Sequence, residues 1–109
     1  MTQPPGPIAA FIDATNAGDS DAFIAAFTAD GSIDDWGRVA RGHDGIRSWD
    51  RTDNIGKQSH FELVDIAAET EPDTYLVHLR VTGNGFNGTS PVRFTLRGDL
   101  IQSVEILPG

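Results

Sequence analysis

Residues 60–107 read HFELVDIAAETEPDTYLVHLRVTGNGFNGTSPVRFTLRGDLIQSVEIL, and most of the strand candidates of the chain lie in this stretch. Four segments within it are strand candidates, and two of them alternate apolar and polar residues in the period typical of β-strands. The four segments are 60–68, 74–82, 90–96 and 100–107. The connections between them are short and rich in Gly, Asn and Asp, which favours antiparallel pairing. We therefore predict a curved antiparallel sheet.

The alternation also assigns the faces of two of these strands. One apolar face carries Tyr75, Val77, Leu79 and Val81, and the next strand contributes Val92, Phe94 and Leu96. We predict that both sets face the core. In residues 60–68 both parities are apolar, so the pattern leaves open which face of the sheet His60 occupies.

Helical patterns precede the sheet. A first helix is predicted from Pro7, with Phe11 on its apolar face and Gly18 at its end. A second helix begins at residues 19–20, buries Phe23 and Phe27, and stops at residues 30–31. Residues 32–36 are predicted to be extended, and a third short helix follows residues 41–44. Helices followed by a sheet are typical of an α+β domain, here residues 7–109 after a flexible lead-in of residues 1–6.

Composition excludes several classes of function. The 109 residues fit one domain, and 16 acidic against 8 basic residues give a net charge of −8. Nucleic acids and anionic membranes need clustered cations, so neither is an expected partner. The chain contains no cysteine, which excludes disulfides and thiolate chemistry and fits a cytoplasmic location. His43, His60 and His78 lie too far apart in sequence for a recognisable metal motif, so no metal or other cofactor is predicted.

Three segments carry a resemblance to a known family. They are FIDATNAGD at 11–19, GHDGIRSW at 42–49 and LIQSVEI at 100–106. Together with residues 23–35, they resemble the SnoaL-like polyketide cyclases and ketosteroid isomerases of the nuclear transport factor 2-like superfamily. The resemblance implies a cone-shaped, cystatin-like fold, in which a curved sheet wraps around about three helices and one apolar pocket. It also implies a small hydrophobic ligand, and a homodimer formed through the outer face of the sheet is expected.

The resemblance places one catalytic group of the isomerases. Asp35 matches the general base, whereas Phe11 and Val92 occupy the positions of the two oxyanion donors. Because such donors usually supply the largest catalytic effect, ordinary steroid isomerase chemistry is not expected. Strand alternation sends Asp34 and Asp35 to opposite faces. We expect the charged carboxylate of Asp35 to be poorly solvated and therefore a usable base, with the nearby arginines pointing into water.

Other residues are candidates for the pocket. His60 is predicted as a second catalytic residue that shuttles protons, whereas His43 and His78 are expected at the surface. The predicted ligand-binding residues are Phe11, Trp36, Trp49, Val64, Tyr75, Val77, Leu79, Phe86, Val92 and Phe94. The alternative is that the aromatic residues only fill the core. Phe86 lies in a Gly- and Asn-rich segment and is predicted to form a lip of the pocket.

Three functions stay open at this point. The first is a cofactor-free isomerase or cyclase that uses Asp35 as the base. The second is epoxide hydrolysis, which in limonene-type enzymes uses an Asp–Arg–Asp set. Asp35, Arg80 and Asp65 offer the residue types, but alternation turns Arg80 away from the pocket. The third is a ligand-binding or dimerisation domain without catalysis, which a cavity filled by Trp36 and Trp49 would favour.

Overall fold

The structure is a computed structural model that describes residues 4–108. Residues 1–3 of the predicted lead-in, and residue 109, lie outside the described residues. The helices are α1 (Gly6–Ala17), α2 (Ser20–Ala25) and α3 (Gly42–Asp53), followed by a 3-10 turn at Ile55–Lys57. The strands are β1 (Phe27–Asp35), β2 (Arg38–Arg41), β3 (His60–Ala68), β4 (Thr74–Thr82), β5 (Gly88–Arg97) and β6 (Leu100–Ile106).

The six strands form one curved, unclosed sheet in the order β2-β1-β6-β5-β4-β3. Strands β3 to β6 pair antiparallel with their sequence neighbours, as predicted. However, β1 and β6 pair parallel to each other, so the sheet is mixed. Parallel neighbours need a long crossover, and the whole of β2 to β5 lies between them in the chain.

The second helix is shorter than predicted. It ends at Ala25, and Phe27 begins β1 instead of extending the helix. Phe27 follows Phe23 by four residues and is buried, which suits either a helix or the inner face of a strand. Gly31 lies inside β1, where the register against β6 shifts. A Cβ at Gly31 would come within 3.1 Å of the carbonyl oxygen of Thr28, so this irregular segment favours glycine.

The core is a cluster of phenylalanine rings between the helices and the sheet. Phe11 from α1 lies at its centre, and its ring centroid is 5.0 Å from those of Phe23 and Phe94. Phe61 stacks on Phe11 at 5.4 Å. The side-chain amide of Asn16 holds the backbone of Phe61 by two hydrogen bonds. The Phe61 N–H donates to Asn16 Oδ1 at 2.7 Å, and Asn16 Nδ2 donates to the Phe61 carbonyl oxygen at 2.9 Å. The end of α1 is thereby attached to the edge strand β3.

A tight hairpin joins β1 to the strand β2, which the sequence patterns did not predict. Its two turn residues, Trp36 and Gly37, have φ angles of 54° and 92°. Two successive positive φ angles are typical of a type I′ hairpin. The Asp34 carboxylate accepts a hydrogen bond of 2.7 Å from the N–H of Gly37. The hairpin therefore directs Trp36 away from the core and leaves Asp35 to point the other way from Asp34.

Candidate functional site

A mostly apolar cavity of about 300 Å³ opens between α1, α3 and the inner face of the sheet. Its wall is formed by Phe11, Asp35, Trp36, Trp49, Asp53, Asn54, Ser59, Phe61, Leu79, Val81, Phe86, Ser90, Val92 and Ile106. The side chain of Trp36 is on its rim, since Trp36 is 63% exposed. This volume lies at the lower end of the range of small-molecule sites in proteins.

The structure brings together some of the predicted site residues. Six of the ten predicted ligand-binding residues line the cavity: Phe11, Trp36, Trp49, Leu79, Phe86 and Val92. The other four do not line it. Val77 and Phe94 are buried in the core, Tyr75 is half-buried at the start of β4, and Val64 is 49% exposed.

His60 also lies outside the cavity wall, so its predicted place at the pocket needs correction. Phe61 takes the inward position on β3, and its neighbour His60 is exposed on the other side. A register shift between Leu63 and Asp65 further changes the alternation along this strand. The ambiguity of the apolar pattern in β3 is thus resolved by packing against Phe11.

Asp35 is held at the cavity by two donors on one oxygen. Trp49 Nε1–H donates to Asp35 Oδ2 at 3.1 Å, and the Arg38 guanidinium donates to the same oxygen at 3.0 Å. Asp35 Oδ1 accepts no hydrogen bond from any side chain or backbone group that the structure describes. The expectation that Arg38 points only into water was wrong, because the β1–β2 hairpin folds it back over Asp35.

Arg38 joins two carboxylates at the rim of the cavity. It also contacts Asp53 Oδ1 at 2.9 Å, and Asp53 comes from the end of α3. Partial burial acts to raise the pKa of Asp53, but hydrogen bonds from Thr52 and Arg38 outweigh it and leave that pKa below its ordinary value. The same two carboxylates raise the pKa of Arg38, with Asp53 the larger cause. The result is an Asp35–Arg38–Asp53 set.

The residues named for epoxide chemistry lie elsewhere. Arg80 pairs with Glu62 at 3.7 Å, and Asp65 contacts His78 Nδ1 at 2.6 Å, all on the outer side of the sheet. Around Asp35 the structure places Arg38 and Asp53 instead. Arg38 is the first residue of β2 and Asp53 the last residue of α3, so folding of the hairpin and of the helix brings them to Asp35.

Sequence reasoning also missed the polar part of the wall. Asn54, Ser59 and Ser90 line the cavity and are each almost fully buried. Asn54 and Ser59 flank the 3-10 turn, and Ser59 N–H donates to the Asn54 carbonyl at 3.1 Å. Only Ser90 could have been found from the sequence. It is a polar residue at an inward-facing position of β5, two residues before Val92 and four before Phe94. In residues 4–108 no three His, Cys, Asp or Glu side chains group as a metal site requires.

Comparison with known proteins identifies the family. The model of the SnoaL-like domain matches residues 8–104, so the chain belongs to the SnoaL-like family. No curated protein matches the chain significantly by sequence. None of the helices in the described part of the chain has the length and apolar character of a membrane span.

Solved structures share the fold. A protein provisionally assigned as a polyketide cyclase, SMa1630 of Sinorhizobium meliloti, superposes with a TM-score of 0.85 at 24% identity, over 95% of each chain. SalBIII, an epoxide hydrolase/cyclase-like enzyme of pyran ring formation in salinomycin, has a TM-score of 0.81 at 23% identity, over 94% of this chain and 88% of its own. Rv0760c of Mycobacterium tuberculosis, in complex with estradiol-17β-hemisuccinate, has a TM-score of 0.83 at 14% identity, over 98% and 95%. A cystatin-fold protein of Novosphingobium aromaticivorans superposes with a TM-score of 0.74 at 22% identity, over 97% of this chain and 100% of its own. These likenesses confirm the α+β, cystatin-like fold.

Proposed function

We propose that the cavity binds a small hydrophobic carbonyl compound and that Asp35 moves a proton on it, as in an isomerase or cyclase without a cofactor. One observation carries this proposal. The Asp35 carboxylate lies in the wall of a mostly apolar cavity, with Oδ2 held by Trp49 and Arg38 and Oδ1 left free to accept a proton. A base needs such a free, oriented oxygen within reach of the substrate.

The proposed step is a proton transfer next to a carbonyl group. Asp35 Oδ1 takes a proton from the α-carbon, and the electron pair of the C–H bond moves onto the carbonyl oxygen. The positions of the isomerase donors carry Phe11 and Val92, which are apolar wall residues here. The hydroxyl groups of Ser59 and Ser90 are the donors that the wall offers to the developing oxyanion. The proton then returns to carbon or oxygen elsewhere on the molecule.

The test uses 2-tetralone, a flat hydrophobic ketone, in D₂O. We expect the wild-type protein to accelerate exchange of the α-protons, as followed by NMR, and Asp35→Asn to lose this acceleration. Asn keeps the shape and loses the base, so binding of 2-tetralone should persist. Asp34→Asn is the matched control, because the Asp34 carboxylate binds the Gly37 N–H on the other side of the strand. Exchange that survives in Asp35→Asn would refute the proposed base.

A second candidate function is epoxide hydrolysis, which the Asp35–Arg38–Asp53 set favours. One carboxylate would take a proton from water, the water oxygen would attack an epoxide carbon, and a protonated acid would supply the proton to the leaving oxygen. Styrene oxide in ¹⁸O-water distinguishes the two reactions. Asp53→Asn should abolish diol formation if this route operates, while proton exchange of 2-tetralone should persist, because Asp35 remains the base. Binding without either reaction would favour a non-catalytic ligand-binding domain.

The predicted homodimer stays a proposal. The outer face of the sheet carries exposed Val64 and half-buried Leu76 between ion pairs, including Arg93 with Glu69 and Glu105. An apolar centre with charged surroundings suits a symmetric interface. Light scattering should give a dimer mass at micromolar concentration, and Val64→Lys should shift it to the monomer. A monomer mass for the wild type would refute this interface.

A further inference from the structure

Asn54 is a buried polar residue of the cavity wall that the proposed proton transfer does not use. It directly follows α3 and is 1% exposed. Its side-chain nitrogen donates to Thr15 Oγ1 at 3.0 Å and to Asp50 Oδ1 at 3.1 Å. A side-chain amide nitrogen carries two hydrogens, so both donors of Asn54 are already engaged inside the protein.

The orientation of this amide is fixed by its neighbours. Asp50 is itself buried, and its other oxygen accepts a hydrogen bond of 2.8 Å from the Ser20 hydroxyl. Rotating the amide by half a turn would place the oxygen of Asn54 against the Asp50 carboxylate, so that two acceptors would face each other. The nitrogen therefore stays in the Thr15–Asp50 network, which links α1, α2 and α3, and the oxygen must point elsewhere.

The oxygen borders the cavity. Asn54 Oδ1 accepts no hydrogen bond from any residue in 4–108. Within the same residues, no side-chain polar atom that is sealed from solvent lacks a partner. Asn54 Oδ1 must therefore adjoin open space, and the space that Asn54 lines is the cavity. The neighbouring hydroxyls of Ser59 and Ser90 can both donate and accept, whereas Asn54 offers the cavity an acceptor alone.

We propose that Asn54 Oδ1 determines specificity, by selecting hydrophobic ligands that carry a hydroxyl group over matched ligands that cannot donate a hydrogen bond. This inference rests on the proposed binding of a hydrophobic ligand in the cavity. A ligand without a donor displaces water from Oδ1 and leaves a buried acceptor unpaired, which is costly. A site that is built to hydrogen-bond its ligand strongly rejects an analogue that lacks the matching group. An apolar pocket discriminates less strongly between ligands that differ only in size.

The experiment compares 2-naphthol, a donor, with 2-methoxynaphthalene, which has the same ring system and no donor. In the wild-type protein we expect 2-naphthol to bind about tenfold more tightly by titration calorimetry, the value of one well-formed hydrogen bond with its desolvation. Asn54→Leu should reduce this preference to less than about twofold, since the acceptor is lost. Asn84→Ala, which changes an exposed asparagine outside the cavity wall, should keep the preference.

Equal affinities in the wild type, or a preference that survives in Asn54→Leu, would overturn the role of Asn54 while leaving ligand binding intact. No binding of either compound would overturn the hydrophobic-ligand proposal as well. If Asn54→Leu does not fold, the structure of the wild-type complex replaces it. The naphthol oxygen should then lie within about 3 Å of Asn54 Oδ1, and a naphthol oxygen bound elsewhere would overturn the inference.

Discussion

Trp49 Nε1–H donates a hydrogen bond of 3.1 Å to Asp35 Oδ2, and it thereby connects the middle of α3 to the end of β1 at the cavity. The Trp49 ring also packs against Phe23, with centroids 6.2 Å apart. The same side chain therefore belongs to the core through its ring and to the site through its N–H. This arrangement lets α3 orient the carboxylate.

Trp49→Phe tests that positioning role. The substitution keeps an aromatic ring in the core and removes the N–H donor to Asp35. We expect exchange of 2-tetralone to slow by about tenfold, as for loss of one hydrogen bond to a charged group, with its dissociation constant nearly unchanged. Trp36→Phe is the control at the cavity rim. An equal loss of binding and rate in Trp49→Phe would show a packing role only.

Phe23→Ala and Phe27→Ala test the core. Both rings are almost fully buried, so each truncation should cost about 3–5 kcal/mol of unfolding free energy, measured by denaturant titration. Phe86→Ala is the matched control, because Phe86 is exposed at the cavity. It should cost less than about 1 kcal/mol while weakening the binding of naphthalene. Losses under about 1 kcal/mol for both core variants would contradict this packing.

The Arg38–Asp53 ion pair at the cavity rim should make the free energy of unfolding depend on pH in the acidic range. The folded pKa of Asp53 lies below its ordinary value of 3.8, because the opposing effect of partial burial is outweighed by hydrogen bonds from Thr52 and Arg38. Asp53 therefore stabilises the fold fully above that value, and the contribution disappears as the pH falls through the lower folded pKa. Urea midpoints measured downward from about pH 5 should fall less steeply in Asp53→Asn than in the wild type.

A second variant checks the cause of that acid dependence. Thr52 Oγ1 donates to Asp53 Oδ2 at 2.7 Å, so Thr52→Val should also flatten the loss of stability below about pH 4, by a smaller amount. Identical acid profiles for the wild type and Asp53→Asn would mean that the Arg38–Asp53 pair does not form in solution.

Gly56 tests the turn that shapes the polar part of the cavity wall. A Cβ built at Gly56 would lie 1.5 Å from the carbonyl oxygen of Arg51. Gly56→Ala must therefore displace the backbone between Asn54 and Ser59, and we expect a loss of more than about 3 kcal/mol in unfolding free energy. Gly6→Ala is the control, since nothing lies within 4 Å of a Cβ there. Similar midpoints for the two variants would contradict the geometry of this turn.

Local sequence patterns predicted the four long strands of the second half of the chain and much of the core. The limits predicted for 60–68 and 74–82 agree with β3 and β4 residue for residue, and the inward parity of Val77 and Leu79 is confirmed. These features follow from local alternation, because each residue's face is set by its immediate neighbours. The same local pattern placed Asp34 and Asp35 on opposite sides, and the structure agrees.

The assembly of the candidate site depends on contacts between distant parts of the chain. Asp35, Arg38 and Asp53 meet because a hairpin turns Arg38 back and the parallel β1–β6 pairing positions β1 beside the rest of the sheet. Asn54 lines the cavity, and its side-chain nitrogen donates to Thr15, from a distant helix. No local pattern encodes such contacts, since they depend on which buried groups satisfy one another's hydrogen bonds once the elements pack.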